Sequence, residues 1–157
     1  MPIYAHWSLI LGGFLPALFV GFRSQQFAYF CVGYFFLIAI HELGHAVAAW
    51  TCGLEVISVE ISGLGGMCWA ESPVTLTFAL ILHSGGLIAQ AALFLVTVVL
   101  VLVFGKPSSL FLNCLILVFT VFNAVIFLGN LAPTRGPQPT DGYAIWSVVQ
   151  QIRKGHA

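Results

Sequence analysis

His41-Glu42-Leu43-Gly44-His45 puts three ionisable side chains within five positions of a run, Phe27 to Trp50, that otherwise suits hydrocarbon. Ionisable groups are costly inside a bilayer, so a cluster of them marks a functional site. On a helix, His41 and His45 stand one turn apart on the same face. Two imidazoles need that spacing to grip one tetrahedral zinc ion. Glu42, next to the first histidine, is placed to reach a water on an open zinc position and take its proton. A lone membrane histidine is usually a hydrogen-bonded packing residue; a pair at this spacing around a glutamate is harder to explain by packing.

Two histidines leave zinc short of a protein ligand. The other carboxylates are Glu55, Glu60, Glu71 and Asp141. Asp141 is the candidate, because the stretch from Asn130 to Gly142 returns the chain to the face that carries the histidines. Its competing role is a helix N-cap or an Asp-Gly turn. Asn130 can hydrogen-bond substrate backbone or a developing oxyanion, or else anchor the loop after Pro133. His83 can serve the site, although a packing or hydrogen-bonded role suits it better.

The elements that must position these residues follow from composition. The 157 residues are 60% hydrophobic and only 6% charged, against about a quarter charged in a soluble domain. One integral membrane domain is expected, with little room for a soluble appendage. Zero formal net charge and no basic cluster argue against nucleic acid as a partner. Spans are predicted at about 3–22, 27–51, 74–104 and 110–131. The first lacks a charged n-region and is read as a retained span, not a signal peptide. Between the second and third, Val56, Ile57, Val59 and Ile61 alternate with polar residues before Gly63, Gly65 and Gly66. That pattern predicts strand, turn and strand over 55–71, with an interfacial loop as the alternative. Asp141-Gly142 opens a predicted amphipathic surface helix over 141–154. The predicted class is an all-α membrane protein with about four transmembrane helices, a small membrane-associated β-hairpin and a C-terminal amphipathic helix.

Four spans place His41, His45, Asn130 and Asp141 toward one face. Arg135, Arg153 and Lys154 lie on that side and Arg23 and Lys106 on the other, a three-to-two excess that predicts a cytoplasmic site. Cys31, Cys52, Cys68 and Cys114 lack C-x-x-C spacing and are expected to be reduced, with a Cys52–Cys68 pairing left open.

These residues together resemble the site-two proteases, zinc metalloproteases that cut within membranes. The resemblance rests on His41-Glu42-Leu43-Gly44-His45 in a transmembrane helix and on Asn130-Leu131-Ala132-Pro133 followed by Asp141-Gly142. Gly53 to Gly66 looks like the family's β-hairpin after the zinc helix, and His83-Ser84-Gly85-Gly86 through Gln90 like its small-residue motif. Gly86 stands where the family usually has proline and Gln90 where it has asparagine, and the loop before Asp141 is longer than usual. The resemblance implies one Zn²⁺ held by His41, His45 and Asp141, with Glu42 activating the water; Asn130 is the second catalytic candidate from its own chemistry. It also implies a minimal core without an accessory domain, acting on single-span membrane proteins or signal-peptide-like segments in the bilayer. Alternatives from other classes are an inactive relative that only binds membrane proteins, and a metal transporter or haem protein using His41, His45 and His83.

Overall fold

A computed structural model of the chain describes residues 2–5, 24–62, 65–136 and 139–155. Strand β1 (Ile3–Ala5) is followed by helix α1 (Gln25–Thr51), strands β2 (Val56–Ile61) and β3 (Gly66–Ala70), helix α2 (Leu76–Phe104), helix α3 (Leu110–Leu131) and helix α4 (Asp141–Gly155). Among the described residues, α1, α2 and α3 are long and apolar enough to cross a membrane, and the chain is an integral membrane protein. The predicted first span lies outside the described residues except at its start. There the expectation is corrected: Ile3–Ala5 is a strand, in parallel register with Val59–Ile61. An apolar run of this length carries no local sign of strand pairing, because the partner lies far along the chain.

Local chemistry sets the helix ends. Ser24, Thr75 and Ser109 cap α1, α2 and α3, each side chain accepting from a backbone N–H in the first turn. Gly53, at φ 72°, ends α1. The N–H of Leu54 reaches the Ala49 carbonyl and that of Gly53 the Trp50 carbonyl, a Schellman stop. Buried Leu54 then turns the chain under α1 into β2.

β2 is the central strand of a three-stranded sheet ordered β1-β2-β3. It pairs antiparallel with β3, with a register irregularity between Val56 and Ser58. Val56, Val59 and Ile61 pack with Ile38, Ala46, Ala49 and Leu54 into the core between the sheet and α1. The predicted hairpin is thus present and gains β1 as a third strand.

Glycines set the helix crossings. A Cβ on Gly44 would run into the Gly85 carbonyl, and one on Gly85 into the Gly44 carbonyl, so α1 and α2 touch backbone to backbone. α1 meets α3 at Gly33, where a Cβ would lie 3.1 Å from Leu115 and 3.2 Å from Val118. α3 contains a π-helical turn at Val118–Phe122. Just after it, the Asn123 amide donates to the Gln90 carbonyl at 2.8 Å and the Phe119 carbonyl at 3.2 Å. α4 packs along α2 with Val148 buried, while Trp146 on its outer face is exposed. The four cysteines are free thiols.

Candidate metal centre

His41 and His45 are both buried on the α1 face turned toward α2. The rings stand nearly perpendicular, at 83°, with Nε2 to Nε2 3.2 Å. His45 Nδ1 lies 2.8 Å from the Leu82 carbonyl. A carbonyl only accepts, so Nδ1 carries the proton and donates, and in the neutral ring Nε2 keeps its lone pair. Such a bond from the outer ring nitrogen fixes the tautomer a metal ligand needs.

Asp141 completes the cluster. Its Oδ2 is 3.2 Å from His41 Nε2 and its Oδ1 is 3.3 Å from His45 Nε2. The predicted alternative for Asp141, a helix cap, is taken by its neighbour. The Thr140 hydroxyl accepts from the Tyr143 N–H at 3.3 Å and donates to the Ala132 carbonyl at 2.5 Å. Thr140 also accepts from the Thr134 N–H at 3.3 Å, closing the long loop at its base. The extra loop residues therefore do not displace Asp141. Gly142 presses the start of α4 against the Leu131 and Asn130 carbonyls, where a Cβ would not fit.

The donor set can hold a metal ion. A tetrahedron with bonds of about 2.0 Å has ligand-to-ligand edges of about 3.3 Å. The His41 and His45 Nε2 atoms, 3.2 Å apart, match that edge; Asp141 meets the two rings with different oxygens, and taken one atom per residue the donors lie within 4.8 Å of one another. Asp141 Oδ2 is buried without a hydrogen-bond partner, as is His41 Nδ1. The space is also kept clear: a Cβ on Gly86 would lie 2.5 Å from both His41 Cε1 and His45 Nε2. Among the described residues, these three are the group able to hold a metal ion.

Glu42 is 5% exposed and points toward β3. Gly66 leaves room for it, since a Cβ there would come 2.7 Å from Glu42 Oε1. Burial, helped by the Glu42 charge, pushes the Cys68 thiol up to about 11. A cavity of about 440 Å³ joins Glu42, the cluster, Asn130, His83 and Gln90. Asn130 lines this cavity, and Thr140 and Thr134 bond to each other across the loop. His83 also lines the cavity but stands outside the three-residue cluster.

The sequence reading missed Gly66, Thr140 and the Leu82 carbonyl. The first two carry weak local signals, a glycine after a turn and a threonine before a helix. A backbone carbonyl carries none.

The fold and site define a helical membrane protein with a small sheet over a buried His-His-Asp group. The sequence matches no family model and no curated protein. Among solved structures, the chain is similar to the Site-2 Protease from Methanocaldococcus jannaschii, with a TM-score of 0.69 at 21% identity over 96% of this chain and 67% of that one. The chain thus has a site-2-protease-like fold.

Proposed function

We propose that the chain is an intramembrane zinc endopeptidase that cuts peptide bonds in or near transmembrane segments, with Glu42 as general base. The observation that carries this reading is the convergence of two imidazole nitrogens and the Asp141 carboxylate beside a buried glutamate in one cavity. Held by His41, His45 and Asp141, zinc would supply Lewis acidity, bringing the pKa of a bound water to about 7. Glu42 takes a proton from the attacking water and passes one to the leaving amine. Asn130 donates its amide to the oxygen that gains negative charge.

A helical substrate hides its scissile carbonyl in internal hydrogen bonds, so it must unwind first. β3 pairs only with β2 in the described sheet, and Gly65–Cys68 line the cavity. An unwound segment adding as a strand to the β3 edge replaces the lost bonds. The substrates this suits are single-span membrane proteins or signal-peptide-like segments. The charge excess of Arg135, Arg153 and Lys154 favours a site opening to the cytoplasm.

The test is co-expression with candidate single-span proteins plus metal analysis of the purified protein. Wild type is expected to carry one zinc and to cleave. Glu42→Gln should keep the zinc and lose activity by roughly 10²–10⁴-fold, and Asp141→Asn should lose both. Cleavage that persists in Glu42→Gln would reject the assignment of the base.

A further inference from the structure

The cavity does not end at the metal cluster. It follows α1 from His45 past Leu37 to Tyr34, about 16 Å along the helix axis at 1.5 Å per residue. Gln90 projects from α2 into this deeper part, one turn beyond Gly86. Gln90 is 1% exposed, and its Oε1 has no hydrogen-bond partner among the described residues. Buried polar atoms are nearly always satisfied, so an open acceptor at hydrocarbon depth needs an explanation.

Asn123, which bonds the Gln90 carbonyl, cannot supply the missing donor. Asn123 is also 1% exposed. Its amide group already donates to the Gln90 and Phe119 carbonyls, so both hydrogens are committed. Its own Oδ1 is unpartnered as well. In the surrounding wall Leu37, Ile38 and Ile126 offer no donor, and the Tyr34 hydroxyl at the same end does not bond Gln90 Oε1. The Asn123 amide thus ties α3 to the backbone of α2, and among the described residues the Gln90 side-chain oxygen is left without a donor.

We infer that this deep end is a backbone-binding subsite, in which Gln90 Oε1 accepts an N–H from the unwound part of a membrane-spanning substrate. This rests on the proteolytic reading above and adds to it the recognition of the substrate segment beyond the cut. A helix that opens by one turn frees backbone N–H groups that hydrocarbon cannot satisfy. The β3 edge serves the portion beside Gly66 and Cys68. Farther down α1 the cavity has no strand to pair with, and Gln90 is the acceptor at that level. Leu37, Ile38 and Ile126 receive apolar side chains around it. Gln90 is therefore a specificity residue, selecting segments with a free N–H, not proline, at the position it reaches.

The test uses the full chain carrying Glu42→Gln, so that bound peptide stays intact. The probe is a synthetic Leu/Ala-rich single-span peptide with a central Gly-Gly pair, in lipid bicelles, with binding read by fluorescence anisotropy. A companion series carries one backbone N-methyl group, stepped along the central turn. One position is expected to weaken binding about tenfold, the loss of one hydrogen bond. Adding Gln90→Leu should weaken the parent peptide by about the same factor and abolish sensitivity at that position, while zinc content stays unchanged. Removing an unpaired buried amide should also leave the melting temperature equal or higher.

A flat N-methyl series overturns the inference and makes Gln90 a packing residue or the seat of a resident water. So does a series with the same profile in Gln90→Leu, or a parent peptide that does not bind. Should the leucine variant fail to fold, the series on the Gln90 protein and on Gln90→Met decides alone. Cleavage of the parent peptide by the Glu42 enzyme is scored separately. Coupled binding without cleavage defeats the protease reading only, and cleavage with a flat series defeats the subsite only.

Discussion

Helices α1 and α2 run side by side, but their two halves meet different surroundings. In the half nearest the sheet, Gly44 and Gly85 bring the backbones into contact, and Ala46, Ala49 and Ile38 are buried against β2. His41, Glu42 and His45 sit in that half, held from outside by Leu82, Gly66 and Gly86. In the far half of α2, Val96, Leu102, Val103 and Phe104 are largely exposed, as side chains facing lipid tails should be. Apolar contact between helices adds little in a bilayer, because lipid is as apolar as leucine. Small residues and polar bonds therefore do the joining, and both are concentrated around the metal cluster. The lesson is that the half that holds the site together also holds the fold together.

Substitutions in the two halves should separate accordingly. The largest effect is expected for Gly86→Ala. A methyl there overlaps both imidazoles, so bound zinc should fall to background by metal analysis while the protein still purifies as a folded species. Full zinc in that variant would mean the glycine is not the cradle described. Next comes Gly85→Ala, which forces α1 and α2 apart. Overpacking of this kind costs about 1–3 kcal/mol, readable as a lower midpoint of thermal unfolding in detergent, with zinc affinity falling in parallel. The smallest effect belongs to the far half. Leu102, 78% exposed, replaced by alanine should shift stability by less than about 0.5 kcal/mol. A large loss there would show that a surface scored as lipid-facing is covered by something else.

The sequence made parts of this arrangement readable and hid others. The strands over 55–71 were legible because alternating Val and Ile at period 2, followed by glycines, is a local signal. β1 was not, since three apolar residues at the head of an apolar run look the same whether they pair or not. Asn130 and His83 were both named, and both reach the cavity. The His-His-Asp group forms without either, in keeping with Asp141 as the third candidate ligand. Gln90 was visible only as a polar residue in a glycine-rich patch. Its open acceptor depends on how Asn123, on another helix, spends its two hydrogens.

What the sequence determined by itself was whatever a single helix or strand settles within its own period. That covers the spans at Gln25–Thr51, Leu76–Phe104 and Leu110–Leu131, and the common face of His41 and His45, since 3.6 residues per turn brings a fourth neighbour round again. What tertiary structure alone decided was every contact between segments distant in sequence. Thr140 had to take the cap before the Asp141 carboxylate was free to turn inward. Gly142 had to let α4 start against α3 before that carboxylate could reach the rings. A helix repeats its own geometry, but it holds no record of which neighbour will press against it.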